Sequence, residues 1–162
     1  MKSVIYIVDL DGTLVDNSHR EHLIPQDKSN TAEWVAFNCA CENDEPREPV
    51  RQMIYSMLMT GKHIIFLTGR GEAAREPTMT SMRKMFPEKH NFHLVMRPME
   101  DHRPASCFKL DVISEIKKSI PQAELMAFED DPDVVVAMRE VGVSVMQIES
   151  TCAAVAHKAA NK

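Results

Sequence analysis

The sequence predicts an α/β fold of three layers, α/β/α, built on a mostly parallel sheet. Three observations predict it. Short apolar runs at 4–8, 63–67 and 125–128, the first rich in β-branched residues, are continuous rather than alternating, as in strands buried on both faces. Stretches with helical spacing of apolar residues lie between them. Each run also stops at small, polar or acidic residues, as expected where a sheet's carboxyl edge carries a site. Strands alternating with helices favour right-handed crossovers and a Rossmann-like layout.

The first run, 4–8, ends at Asp9-Leu10-Asp11-Gly12-Thr13. Two carboxylates there cannot be core and belong at the sheet's edge. Gly12 lets the chain turn away, and the amides that follow, with Thr13, can hold an anion. Residues 15–41 read as polar and irregular, with Pro25 and 27–30 marking a loop, and Thr31 is predicted to N-cap a short helix carrying Trp34, Val35, Phe37 and Asn38. This insert, about 17–45, is too short for a separate lid, so a cap is minimal or absent. Trp34 and Phe37 are expected to pack on the core, and His19, Arg20, Glu21 and His22 to form a solvated loop near the motif.

From Pro49, the residues Val50, Met53, Ile54, Met57 and Leu58 repeat at helical spacing until Gly61. Strand 63–67 then stops at Thr68-Gly69-Arg70-Gly71. Pro77 suits the first turn of a helix with Met79, Met82 and Phe86 inward. Residues 93–96 predict a third strand before Arg97-Pro98, and a loop at 99–106 carries Asp101 and Arg103. The next helix holds Phe108, Val112, Ile113, Ile116 and Ile120. Lys109 is expected in its first turn, where the helix dipole disfavours a cation and an anionic partner is invited. Strand 125–128 runs into Glu129-Asp130-Asp131-Pro132-Asp133, where Asp131 and Asp133 suit a helix N-terminus; the helix ends at Gly142, and 143–148 predict a last strand. Residues 1–150 read as one domain and 151–162 as an alanine-rich tail that can add a short helix.

Composition bounds the class. Of 162 residues, 44% are hydrophobic and 27% charged, as in an ordinary globular domain. No segment reaches the length of a membrane span and no signal-peptide pattern opens the chain, so a cytoplasmic setting and no membrane partner are expected. Cys39, Cys41, Cys107 and Cys152 form no CxxC pair and read as reduced thiols. A net charge of -5 gives bulk electrostatics no part in nucleic-acid binding, which would need a local basic patch.

The residue types at the strand ends point to phosphoryl chemistry. A carboxylate is ionised at neutral pH, so Asp9 can attack phosphorus without a base to activate it. Its charge would repel a phosphate unless a hard cation lay between them, which points to Mg2+. Asp11 would protonate the leaving oxygen and later deprotonate the water that hydrolyses an aspartyl phosphate. Thr68 and its neighbouring amides would hold phosphoryl oxygens, Lys109 would neutralise developing charge, and Glu129 and Asp130 would join Asp9 and Asp11 in the metal shell.

In that order, these residues resemble the four motifs of the haloacid dehalogenase superfamily of phosphohydrolases: DLDGT, Thr68, Lys109 and EDD. Within it, FLTGR, the MRP at 96–98, the KLDVI at 109–113 and the AFEDDPDVVVAMREVGV at 127–143 are similar to the 3'-phosphatase domain of phage-type polynucleotide kinases. The resemblance implies an enzyme that removes 3'-phosphates from nucleic acid ends, with Arg70 beside Gly69 engaging the phosphate or its nucleotide and Arg97 or Arg103 adding to the rim. It also implies partnership with a separate kinase or ligase, since no GxxxxGK[ST] loop occurs in these residues. One departure concerns the fourth motif, which reads Glu129-Asp130-Asp131 where the family has two aspartates often followed by arginine. Either Glu129 or Asp130 can be the direct metal ligand. The short insert favours large substrates, whereas the net charge and the missing arginine favour small ones such as 5'-nucleotides. A catalytically silent binding module is the third reading, and the intact Asp9, Asp11, Thr68 and Lys109 argue against it.

Overall fold

The computed structural model describes residues 3–88 and 93–150; the expected tail helix lies outside them. Seven strands occur among the described residues: β1 (Val4–Val8), β2 (Val15–Asp16), β3 (Glu45–Pro46), β4 (His63–Gly71), β5 (His93–Arg97), β6 (Glu124–Glu129) and β7 (Ser144–Gln147). The helices are α1 (Val35–Cys39), α2 (Glu48–Met59), α3 (Arg75–Met85), α4 (Ala105–Ser119) and α5 (Pro132–Glu140). Five strands make the main sheet, in the order β5-β4-β1-β6-β7, with every neighbouring pair parallel. The small pair β2 and β3 is antiparallel and ties the two ends of the insert together.

β1 lies at the centre and is buried on both sides. Val8 packs with Ile54 of α2 and Met82 of α3, while Ile5 and Ile7 pack with Ile113 of α4 and Met138 of α5. Side chains that alternate along one strand therefore feed two separate cores, which makes the three layers. The chain builds outward from β1 through β4 to β5, then crosses back to place β6 on β1's other side. This reversal between β1 and β6 is a topological switch point, where the strand ends diverge and leave a crevice.

Three local expectations are corrected. β4 does not stop at Leu67 but continues to Gly71, with a register shift between Leu67 and Gly71 against β5. The run 68–71 forms a bulge within the strand rather than its end, and Gly71 lies where a Cβ would press on Met99 Sδ at 2.7 Å. Asn30, not Thr31, caps the insert's helical stretch, its side chain accepting from Ala32 N–H at 3.0 Å. That stretch is a 3-10 turn, Thr31–Trp34, running into α1. Lys109 lies one turn further into its helix than expected, because α4 starts at Ala105.

Candidate active site

Asp9 follows β1, Glu129 ends β6, and Asp130 comes next, so the parallel β1–β6 pairing brings the carboxylates to one edge. One carboxylate oxygen from each of Asp9, Glu129 and Asp130 lies within 4.8 Å of the others, and all three residues are buried. Lys109 reaches in from α4 and donates to Asp9 Oδ1 and to Glu129 Oε2, each at 2.6 Å. Its predicted mismatch with the dipole is therefore not the reason for its place; it is buried between two carboxylates. Asp9 Oδ2 is left without a hydrogen bond among the described residues.

Crowding of like charge marks this cluster electrostatically. Burial pushes the Asp9 carboxyl well above the ordinary carboxylate range; Lys109 opposes that shift, whereas Glu129 and Asp130 add to it. Asp130 is pushed up to about 6, by burial first and then by Glu129. Burial alone would lower the Lys109 ammonium, but the charges of Asp9 and Glu129 hold it above its usual value. Three buried carboxylates facing one lysine leave net negative charge uncompensated. Their donors are all oxygen, the set that hard divalent cations take, and so the cluster can hold one.

Asp11 is built into a different network. Its carboxylate accepts from Arg70 Nε and Nη2, each at 2.8 Å, and from Arg20 Nη2 and Asn17 Nδ2. Asp44 sits behind, clamped by Arg20 Nε and Nη2 at 2.7 Å and bonded to Arg70 Nη2 at 2.8 Å. Burial would raise Asp11, but Arg70 and Arg20 outweigh it and hold the carboxyl below the usual range. Asp11 therefore faces the cavity ionised. Its side chain is not part of the three-carboxylate cluster.

The two groups share a cavity of about 470 Å³ that Thr68, Gly69, Arg97 and Arg103 also line. Thr68 is fully buried, and its hydroxyl accepts from Arg70 N–H at 3.2 Å. Gly12 and Thr13 are not among the cavity's lining residues; they shape Asp130 instead. Thr13 Oγ1 donates to Asp130 Oδ1 at 3.1 Å, and Ser150 Oγ to Oδ2 at 2.5 Å. Gly12 holds φ at 79°, and a Cβ there would overlap Asp130 Oδ2. Gly12→Ala is accordingly expected to cost about 1–3 kcal/mol in thermal unfolding, from the left-handed backbone before any steric term, and to displace Asp130.

The comparisons with known proteins give the chain its family. Residues 3–151 match the model of the polynucleotide kinase PNKP phosphatase domain. The chain belongs to this phosphatase family of the haloacid dehalogenase superfamily. Among solved structures, it is 25% identical to a chain of the Pnkp1/Rnl/Hen1 RNA repair complex, with a TM-score of 0.68 over 91% of this chain and 42% of that one. A class C acid phosphatase from Bacillus anthracis, solved with tungstate bound, shares the fold at 13% identity, with a TM-score of 0.61 over 93% of this chain and 68% of that one. A haloacid dehalogenase-like hydrolase from Streptococcus pneumoniae does so at 16% identity and a TM-score of 0.59, over 90% and 84% of the two chains. The chain thus spans less than half of the RNA-repair chain it matches. No curated protein sequence shows significant similarity.

The cavity and the ionic network behind it contain residues that the sequence pattern placed elsewhere. Arg20, expected in a solvated loop, is fully buried, its guanidinium carbon 4.1 Å from the Phe37 ring centroid and its Nη1 donating to Phe37 O at 2.9 Å. Nothing in the sequence pattern marks Asp44. Phe37 is buried as expected, and it and the half-buried Trp34 also line the cavity, with ring centroids 5.4 Å apart at 83°. Thr31 fastens the insert to the loop before α4, its N–H donating to His102 Nδ1 at 3.1 Å and its hydroxyl to Asp101 O at 2.5 Å. The one available signal was charge: an arginine and an aspartate at opposite ends of an insert that also carries two aromatic residues.

Proposed function

We propose that this phosphatase is a Mg2+-dependent phosphomonoesterase that removes 3'-phosphates from polynucleotide ends through an aspartyl phosphate on Asp9. The observation that carries the reading is the meeting of Asp9, Lys109, Glu129 and Asp130 in one cavity of a chain of the PNKP phosphatase family. Likeness to a chain of an RNA repair complex supports a nucleic acid end as substrate and other repair enzymes, a kinase or a ligase, as partners. A cytoplasmic setting agrees with Cys39, Cys41 and Cys107 being free thiols; no helix among the described residues is long and apolar enough to cross a membrane.

Each residue has a part. Lys109 fixes Asp9 by Oδ1, which presents Oδ2 for attack on phosphorus. Thr68 and the main chain of the β4 bulge supply donors for phosphoryl oxygens, and Lys109 is close enough to share its charge with them. Ionised Asp11 suits the second half-reaction, in which it takes a proton from the attacking water. Proton donation to the leaving 3'-oxygen in the first half requires Asp11 to take up a proton and give up one of its arginines. Asp9, Glu129 and Asp130 would hold Mg2+, which supplies neutralising charge between nucleophile and phosphate when bound.

Phosphate release from a 3'-phosphorylated oligonucleotide, a 3'-nucleotide and a 5'-nucleotide tests the reading. The 3'-phosphorylated oligonucleotide is expected to be the best substrate, and chelation by EDTA to stop release. Mg2+ should also raise the thermal midpoint of the free protein, by about 2.7 kcal/mol of stability at a hundred times Kd, and Asp130→Asn should remove that gain. Preference for the 5'-nucleotide would replace this reading with a nucleotidase. A thermal midpoint indifferent to Mg2+ would remove the metal from it.

A further inference from the structure

The cations around the cavity are not equivalent. Arg70 is paired with Asp11 and Asp44, Lys109 with Asp9 and Glu129, and Arg103 with Asp101 and Asp111. Arg97 has no ion pair among the described residues. Its Nη1 donates to the main-chain oxygen of Arg103 at 3.2 Å, and its guanidinium carbon lies 5.9 Å from the Phe108 ring centroid. Its Nε is buried with no acceptor. The one other such side-chain atom among the described residues is Asn17 Oδ1, and Asn17 also lines the cavity. Both unsatisfied groups thus belong to the wall of the active site.

A half-buried guanidinium whose buried Nε has no acceptor gains from an anion that completes it. Burial holds Arg97 below its usual pKa, opposed by the charge of Asp101 and helped by that of Arg103. The position of the group indicates which anion. Arg97 Nη2 lies 3.7 Å from where a Cβ on Gly69 would stand, one residue past Thr68. The guanidinium is therefore beside the phosphoryl cradle, which has Lys109 as its own cation. The first turn of α4 carries no acid and no side-chain cap, and Pro104 and Ala105 line the same cavity, so nothing in that turn opposes a second negative group. A planar guanidinium matches two phosphate oxygens at once.

We propose that Arg97 binds a second anionic group of the substrate, the phosphodiester that joins the terminal nucleotide to its strand, while Thr68 and Lys109 hold the phosphate that is removed. This rests on the 3'-phosphatase reading and deepens it: the enzyme recognises an end by two phosphates, not one. Arg103, neutralised by two aspartates, has no such role.

The test compares a nucleoside 3'-phosphate, a 5'-phosphate and a 3',5'-bisphosphate, identifying which phosphate leaves, with the wild type, Arg97→Gln and Arg97→Lys. The wild type is expected to favour the bisphosphate over the monophosphate cleaved at the same end. The expected margin in kcat/KM is about tenfold to a hundredfold, mainly through KM, the range of a charge-assisted hydrogen bond. Arg97→Gln should bring that ratio close to one, and Arg97→Lys, which keeps charge without the fork, should retain part of it. A wild type with no such preference, or a Gln variant that lowers both rates by the same factor, overturns the role of Arg97. Release of the 5'-phosphate instead would sink the 3'-end reading, and the bisphosphate ratio for that end would still judge Arg97.

Discussion

Asp9→Asn is expected to abolish phosphate release, by on the order of 10⁴–10⁶-fold in kcat as for removal of a nucleophile, while the protein stays folded. The amide has nearly the same shape and its oxygen can still accept from Lys109 Nζ, which stands 2.6 Å from Asp9 Oδ1. It cannot attack phosphorus. The fold should tolerate the change because three buried carboxylates share a single lysine. Removing one negative charge relieves their repulsion, so thermal unfolding in EDTA should show stability kept or raised, the pattern of a site that gives up stability for function. Turnover above about 1% with an intact fold would place the nucleophile elsewhere.

Arg20→Ala is expected to damage both stability and turnover, although Arg20 is not itself among the cavity's lining residues. Its guanidinium clamps both oxygens of Asp44, binds Asp11 and the carbonyl of Phe37, and lies over the Phe37 ring. Loss of one partner from a buried ionic network costs about 3–5 kcal/mol, because the charges that remain are uncompensated. Asp11 would keep Arg70 and Asn17 but lose one of its two arginines, and kcat/KM is expected to fall by about 10²-fold, the lower end for lost acid/base help. Arg20→Lys should rescue little, since a lysine cannot reproduce the fork across Asp44. Chemical denaturation and steady-state kinetics on both variants check this. An unchanged midpoint would mean that the buried network does not hold the insert to the site.

The acidic edge of the sheet was legible because its signal is local. A continuous apolar run that ends in a carboxylate can only be a buried strand delivering that carboxylate to the edge, which holds for Asp9 and for Glu129 alike. Lys109 was legible as a residue but not in its setting, since the sequence gives no view of how far α4 extends before it. Arg20 and Asp44 were not legible. They lie 24 positions apart in an irregular insert with no periodicity, and each is buried because the other is present to pair with it. The β4 bulge was hidden for a related reason: the small polar run at 68–71 reads as the strand's stop until Gly71 pairs with Arg97 of β5 across the register shift. What depends on one strand's pattern could be read; what depends on two distant segments meeting could not.

The most direct measurement is a single turnover with excess enzyme and an oligonucleotide carrying a radiolabelled 3'-phosphate, quenched in acid over time. Peptide mass spectrometry then locates any label on the protein. Label should appear on Asp9 and decay as inorganic phosphate forms, and it should persist longer in Asp11→Asn, where the water loses its base. Phosphate appearing with no labelled protein at any time, or label on a residue other than Asp9, would contradict catalysis through Asp9.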